Sequence, residues 1–334
     1  MKPSQIALAL EACIEADVPA LVKGPPGIGK TYLVRELAAR LNRPFVHLFA
    51  ATLDPVDLIG VPYVDRPMID GIAGNPVTRW AAPGLLPQEP NHIILIDEIA
   101  AAEPALQKAL FSLIQFGMAG DYRAPENTSF IGCGNNDTDR AGVTRMLTPL
   151  KSRLVHLDME VDHGDWIKWA LANDIPTEII GFLNFKPGLL HHFDPNATTF
   201  PCPRTWEFAG RLVRKGMPSG VLELAILSGT VGQGAAIELT AFLKIYRELP
   251  NVDAILLSPG KAEVPKDPTV LYALSAALAH RATPANFESV VTYTDRLPKE
   301  FAVLATTMAI RRDNKIPMTR AFSQWAANNQ DVLA

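Results

Sequence analysis

The stretch Gly24-Pro25-Pro26-Gly27-Ile28-Gly29-Lys30-Thr31 fits the spacing G-x-x-x-x-G-K-[ST] in full. Its glycines let a short turn curl until successive backbone N–H groups point inward, where they can cradle phosphate oxygens. The flanks are those such a turn needs. Ala20, Leu21 and Val22 before it read as a buried strand. Residues 30–41 after it read as an amphipathic helix, whose positive end would face an anion. Strand, glycine turn and helix in this order constrain the chain to an α/β fold built on a parallel sheet. Lys30 is expected to reach the β- and γ-phosphates of ATP, with the Thr31 hydroxyl on Mg²⁺.

A second segment, HIILIDEIA (92–100), runs four apolar residues straight into Asp97 and Glu98. That pattern suits a central parallel strand whose carboxyl end faces the nucleotide. Asp97 is expected in the Mg²⁺ shell, and Glu98 is the candidate to orient and deprotonate an attacking water. Binding alone does not need the second carboxylate, so the pair points to hydrolysis. Leu106, Leu110, Leu113 and Ile114 then mark one face of a helix that starts near Pro104 and stops at Gly117. A further strand in NTSFIGCGNN ends at Asn135, whose amide can help fix the water. Asn136 is a one-residue alternative.

The order of these pieces resembles the AAA+ ATPases, and more narrowly the MoxR-like group related to midasin and dynein. GPPGIGKT, LIDEI, GCGNNDTDRAG, MLTPLKSRLVHLDME and PCPRTW carry the likeness over residues 5–215. The resemblance implies an AAA+ core of parallel sheet and helices, residues 1–160, then a helical lid, 161–250, and a helical C-terminal extension, 251–334. It also implies two working arginines. Arg153, in TPLKSRL, matches the arginine that one subunit lends to a neighbour's ATP site, though Leu154 stands where the group usually has Phe. Arg204 matches the arginine that opens a lid helix, with Trp206, Ala209, Leu212 and Val213 on its apolar face. Arg140 and Arg145 are rivals for an interface role. An arginine acting in trans requires a homo-oligomer, and the resemblance implies a hexameric ring.

Residues 60–90 hold six prolines and four glycines among apolar and aromatic residues, which excludes a long helix without suggesting disorder. The resemblance makes this an insertion facing the ring's pore, joined by a hairpin at 117–130. Tyr63, Met68, Ile69 and Trp80 could grip a partner there, although Ile69 and Trp80 could equally pack on the sheet. By the same resemblance, the ATPase would remodel or mature a protein client, with a protein bearing a von Willebrand factor A domain as adaptor.

Composition narrows the field. A net charge of −4 and the absence of a dense Lys/Arg tract weigh against a dedicated nucleic-acid binder. A DNA-acting motor on the same core, or a GTP-using restriction-type NTPase suggested by NNDTDR, is the alternative. A non-cycling nucleotide switch is a third reading, opposed by Glu98 and Asn135. Nothing approaches the run of about 18 apolar residues that a membrane helix needs. Residues 1–17 are interrupted by Glu11 and Glu15, so they read as an amphipathic helix and not as a leader. The three cysteines, Cys13, Cys133 and Cys202, are scattered, which suits a reducing cytoplasm. The pair His191-His192 has no third ligand nearby, and Trp166 and Trp169 read as helical core.

Overall fold

The computed structural model describes residues 1–69, 72–135 and 146–329. They fall into two compact units, Met1–Val161 and Asp162–Ala334. In chain order the first contains α1 (Pro3–Glu15), β1 (Ala20–Lys23), α2 (Lys30–Arg40), β2 (Phe45–Phe49), α3 (Pro55–Ile59), β3 (Val61–Asp65), β4 (Met68–Ile69), β5 (Ile72–Ala73) and β6 (Val77–Ala81). It continues with β7 (Ile93–Asp97), α4 (Pro104–Phe116), β8 (Met118–Ala119), β9 (Tyr122–Arg123), β10 (Ser129–Gly134), α5 (Thr148–Lys151) and β11 (Val155–Asp158).

Five of these strands form one parallel sheet in the order β11-β1-β10-β7-β2. Side chains alternate between the faces of a strand, and the sheet is covered on both. Ile94 and Ile96 of β7 join Leu106, Leu110 and Leu113 of α4 in one core. Ile93 and Leu95 join Ile6 and Leu10 of α1 and Val34 and Leu37 of α2 in the other. The continuous apolar run of β7 is what a strand buried on both faces requires. Gly117 ends α4 at φ 64°, a left-handed cap that spares a side chain the usual clash. The parallel, helix-covered sheet expected from the sequence is the fold observed.

The second unit is helical: α6 (His163–Ala172), α7 (Thr177–Phe185), α8 (Pro203–Lys215), α9 (Val221–Val231), α10 (Gln233–Arg247), α11 (Val252–Leu257), α12 (Pro268–Arg281), α13 (Phe287–Thr294), α14 (Lys299–Arg312) and α15 (Arg320–Asn328). Its core includes α7, whose apolar residues are interrupted by Gly181 and Asn184. The glycine has a packing reason. A Cβ at Gly181 would stand 2.9 Å from the Cβ of Ala276 on α12, so the helices approach closely only without one. α12 itself is buried almost all round, from Leu271 to Ala279, and packs against α7, α10 and α14. Trp166 is buried and Trp169 half-buried, with ring centroids 6.2 Å apart. Among the described residues no helix is long and apolar enough to cross a membrane.

Phe182 of α7 joins three helices, with its ring 5.5 Å from Trp206 of α8 and 5.6 Å from Phe242 of α10. Phe182→Ala is therefore expected to cost about 3–5 kcal/mol, measured as a lower midpoint for helix loss in urea.

Candidate active site

The phosphate-type loop leaves β1 after Lys23 and delivers its last two residues, Lys30 and Thr31, into the first turn of α2. Gly27 and Gly29 lie at φ 75° and 96°, in the left-handed region that glycine enters without a Cβ penalty. Gly24 is constrained differently: a Cβ there would fall on the backbone carbonyl of Met159. Lys30 is only 8% exposed. Its ammonium donates to the carbonyls of Gly24 at 2.7 Å and Pro25 at 2.9 Å, and to Asn135 Oδ1 at 2.9 Å. A buried cation needs such acceptors to offset lost hydration.

The adjacency of β1, β10 and β7 places the remaining groups beside it. Asp97, at the carboxyl end of β7, accepts the Thr31 hydroxyl on Oδ2 at 2.7 Å. Its Oδ1 accepts the backbone N–H of Glu98 at 3.0 Å. Asn135, one residue past β10, donates its Nδ2 to Glu98 Oε1 at 3.3 Å while its Oδ1 faces Lys30. The amide is thus oriented at both ends, by a donor and by an acceptor. Lys30, Thr31, Asp97, Glu98 and Asn135 therefore meet in one cluster.

Two members were not foreseen. His47 on β2 brings Nε2 to 3.1 Å from Asp97 Oδ2. The sequence offered only alternation as a signal, since β2 had no motif of its own. Cys133 lies buried beneath the site; burial, with Asp97 nearby, holds its thiol far above the ordinary range.

The donor set suits a small hard cation. Mg²⁺ takes oxygen ligands, keeps several waters and needs one or two protein groups beside the phosphates. The Thr31 hydroxyl and the Asp97 carboxylate, hydrogen-bonded to one another, are such groups. Among the described residues no cluster of three or more His, Cys, Asp or Glu could hold a metal unaided, and His191-His192 belongs to none.

Arg153 is exposed. Its Nε donates to Gln115 Oε1 at 2.9 Å, a terminal nitrogen donates to Ser152 Oγ at 2.7 Å, and the guanidinium lies 5.1 Å from the Phe111 ring centroid. No carboxylate pairs with it among the described residues. It precedes β11, whose first residue Val155 pairs with Ala20 at the start of β1, whereas the phosphate-type loop follows the end of β1. Arg153 therefore sits at the amino edge of the sheet and the Lys30 cluster at the carboxyl edge, about 13 Å of strand apart. Arg204 is exposed in the first turn of α8, within the second unit. A cation at the positive end of a helix gains nothing from the dipole, so helix stability does not explain it. Trp206 and Ala209 are buried beneath it, while Leu212 and Val213 are half-buried. Asn136, Arg140 and Arg145 lie outside the described residues.

The 60–90 segment is a ribbon. β3 pairs antiparallel with β6, and β4 with β5 inside it, Ile69 opposite Ile72. Tyr63 and Met68 are 50% and 67% exposed, while Trp80 is half-buried. The hairpin expected over 117–130 is shorter, β8 with β9 over 118–123. Its Asp121 accepts the Trp80 backbone N–H at 2.8 Å, tying the two insertions together.

Residues 19–154 match the family model described as the AAA domain, dynein-related subfamily. The chain thus carries, on its parallel sheet, an AAA-type P-loop domain, and it is an ATPase. No curated protein matches it in sequence. Among solved structures, the P216G mutant of Thermotoga maritima RuvB is similar over 91% of this chain and 86% of its own, at 17% identity and a TM-score of 0.43. The T. maritima RuvB described as a Holliday junction branch migration motor is similar over 82% and 80%, at 18% identity and TM-score 0.38. NtrX from Brucella abortus, in complex with ADP, is similar over 99% of this chain and 68% of its own, at 17% identity and TM-score 0.36. Likenesses this distant say nothing of what the chain acts on.

Among the described residues, the non-glycine positions with positive φ are Asp17, Asn42, Asn91, Asn127, Asp174 and Glu98. Five are Asn or Asp, which tolerate that region. Glu98, at φ 53°, is the exception, and its strain falls on the catalytic candidate. Glu98→Gly should raise the free energy of unfolding by about 1 kcal/mol, read from a urea titration, while Glu98→Gln should not; both should lose turnover.

Proposed function

We propose that this chain is one subunit of a ring-forming homo-oligomer, of hexameric form, that uses ATP hydrolysis to remodel or mature a protein client. The backbone N–H groups of Gly27, Ile28 and Gly29 and the Lys30 ammonium hold the phosphates, with Gly24, Pro25 and Pro26 shaping the turn. Thr31 and Asp97 hold Mg²⁺, which when bound neutralises charge on the phosphate oxygens. Glu98 takes the proton of the attacking water, and Asn135 orients that water from its post between Lys30 and Glu98. Arg153 reaches the pocket of the next subunit, and Arg204 is the second working arginine, each meeting charge that develops during cleavage. Tyr63 and Met68 on the exposed ribbon grip the client, and a protein with a von Willebrand factor A domain serves as adaptor.

The observation that carries this reading is Arg153. An exposed guanidinium, held among the described residues by neutral partners on the edge of the sheet away from its own cluster, suits delivery to a neighbour.

Mixing experiments test it. Glu98→Gln should keep ATP binding and lower turnover by about 10²–10⁴. Arg153→Ala should lower turnover by about 10³ or more, and Lys30→Ala should abolish nucleotide binding. Mixing Arg153→Ala with Lys30→Ala should restore turnover, because the intact arginine of one completes the intact pocket of the other. A monomer at every ATP concentration, with Arg153→Ala as active as wild type, would refute the ring. The client is tested by a photo-crosslinker at Tyr63 in the stalled Glu98→Gln variant: crosslinks to protein support the reading, and crosslinks to DNA alone overturn it.

A further inference from the structure

We propose that His47 is a positioning residue for Mg²⁺, acting through Asp97: its ring N–H fixes the carboxylate in the orientation that receives the ion. This rests on the reading of Asp97 and Thr31 as the Mg²⁺-holding pair.

The argument starts from strand register. β2 lies beside β7 at the edge of the sheet, with Phe49 opposite Asp97 and His47 opposite Leu95. Alternation puts His47, Phe49, Leu95 and Asp97 on one face, the face where Leu95 packs with Val34 and Leu37 of α2. That helix also supplies Thr31. His47 thus leans along the sheet toward Asp97 from one side while Thr31 approaches from another. Its Nε2 stands 3.1 Å from Oδ2, the oxygen that already takes the Thr31 hydroxyl at 2.7 Å. An ionised carboxylate only accepts, so Nε2 carries the hydrogen. With the Glu98 N–H on Oδ1 at 3.0 Å, Asp97 is tethered through both oxygens by three donors.

That tethering matters for Mg²⁺ in particular, which demands near-ideal octahedral geometry. Losing a partner that orients a ligating group typically costs about 10–100-fold in metal affinity. A purely structural role explains His47 less well. The core contacts of β2 come from Val46 and Leu48 on one face and from Phe45 on the other, and His47 joins neither cluster. The His47 side chain is 33% exposed, and its ring lies 6.1 Å from Phe45. A phenylalanine would preserve that ring contact without the N–H.

The test measures equilibrium binding of a fluorescent ATP analogue, in EDTA and across a MgCl₂ titration, so that no turnover is needed. His47→Phe and His47→Ala should bind as wild type does in EDTA. Both should need about 10-fold more Mg²⁺ to reach half of the Mg²⁺-dependent gain in affinity. His47→Gln, whose amide N–H can occupy the Nε2 position, should recover most of that. Wild-type Mg²⁺ titrations for His47→Phe and His47→Ala would overturn the proposal. So would a loss already present in EDTA, or one that His47→Gln does not repair. Asp97→Ala separates the two levels: an unchanged Mg²⁺ titration there would refute the reading of Asp97 itself, and this proposal with it.

Discussion

One buried ammonium organises the first unit. Lys30 is nearly inaccessible to water, and a charge in that position persists only if oxygen dipoles replace its hydration. The carbonyls of Gly24 and Pro25 and the side chain of Asn135 do so. Those groups leave the carboxyl ends of β1 and β10, adjacent strands of the sheet, and β7 beside them supplies Asp97 and Glu98. Strand order therefore brings the cluster together; residues 105 positions apart in the chain meet through a single hydrogen bond.

Around that centre, the backbone is least relaxed where the chemistry is proposed. Among the described non-glycine residues, the left-handed conformations elsewhere fall on Asn and Asp, while at the active cluster one falls on Glu98. Strain of this kind persists only where the surroundings over-determine it. The Glu98 backbone N–H bonded to Asp97 and its carboxylate bonded to Asn135 supply that constraint. The glycines act in two ways. Gly27 and Gly29 permit positive φ, whereas Gly24 and Gly181 permit close approach to a carbonyl and to a neighbouring helix.

Outward from the cluster, the two insertions behave as one element of the first unit, since Asp121 of the short hairpin holds the Trp80 N–H of the ribbon. A two-stranded ribbon alone is marginal in water, so this tether supports a surface that presents Tyr63 and Met68. In the second unit, the aromatic cluster of Phe182, Trp206 and Phe242 plays the corresponding role, joining helices drawn from distant parts of the sequence.

Whatever depends on local spacing was readable along the chain. The loop 24–31 between strand and helix, the apolar run into Asp97-Glu98, and the helix punctuated by Pro104 and Gly117 were all legible, because turn chemistry and periodicity are properties of neighbours in the chain. The polar post of Asn135 was legible only from the order of elements. Tertiary structure alone decided the rest. His47 reaches Asp97 because β2 happens to flank β7, and register across strands leaves no trace in the spacing along either one. The packing role of Gly181 in α7 shows only when Ala276 is seen against it. The edge on which Arg153 emerges depended on pairing of β11 with β1. Contacts between distant segments are set by packing, and packing is not written in any single segment.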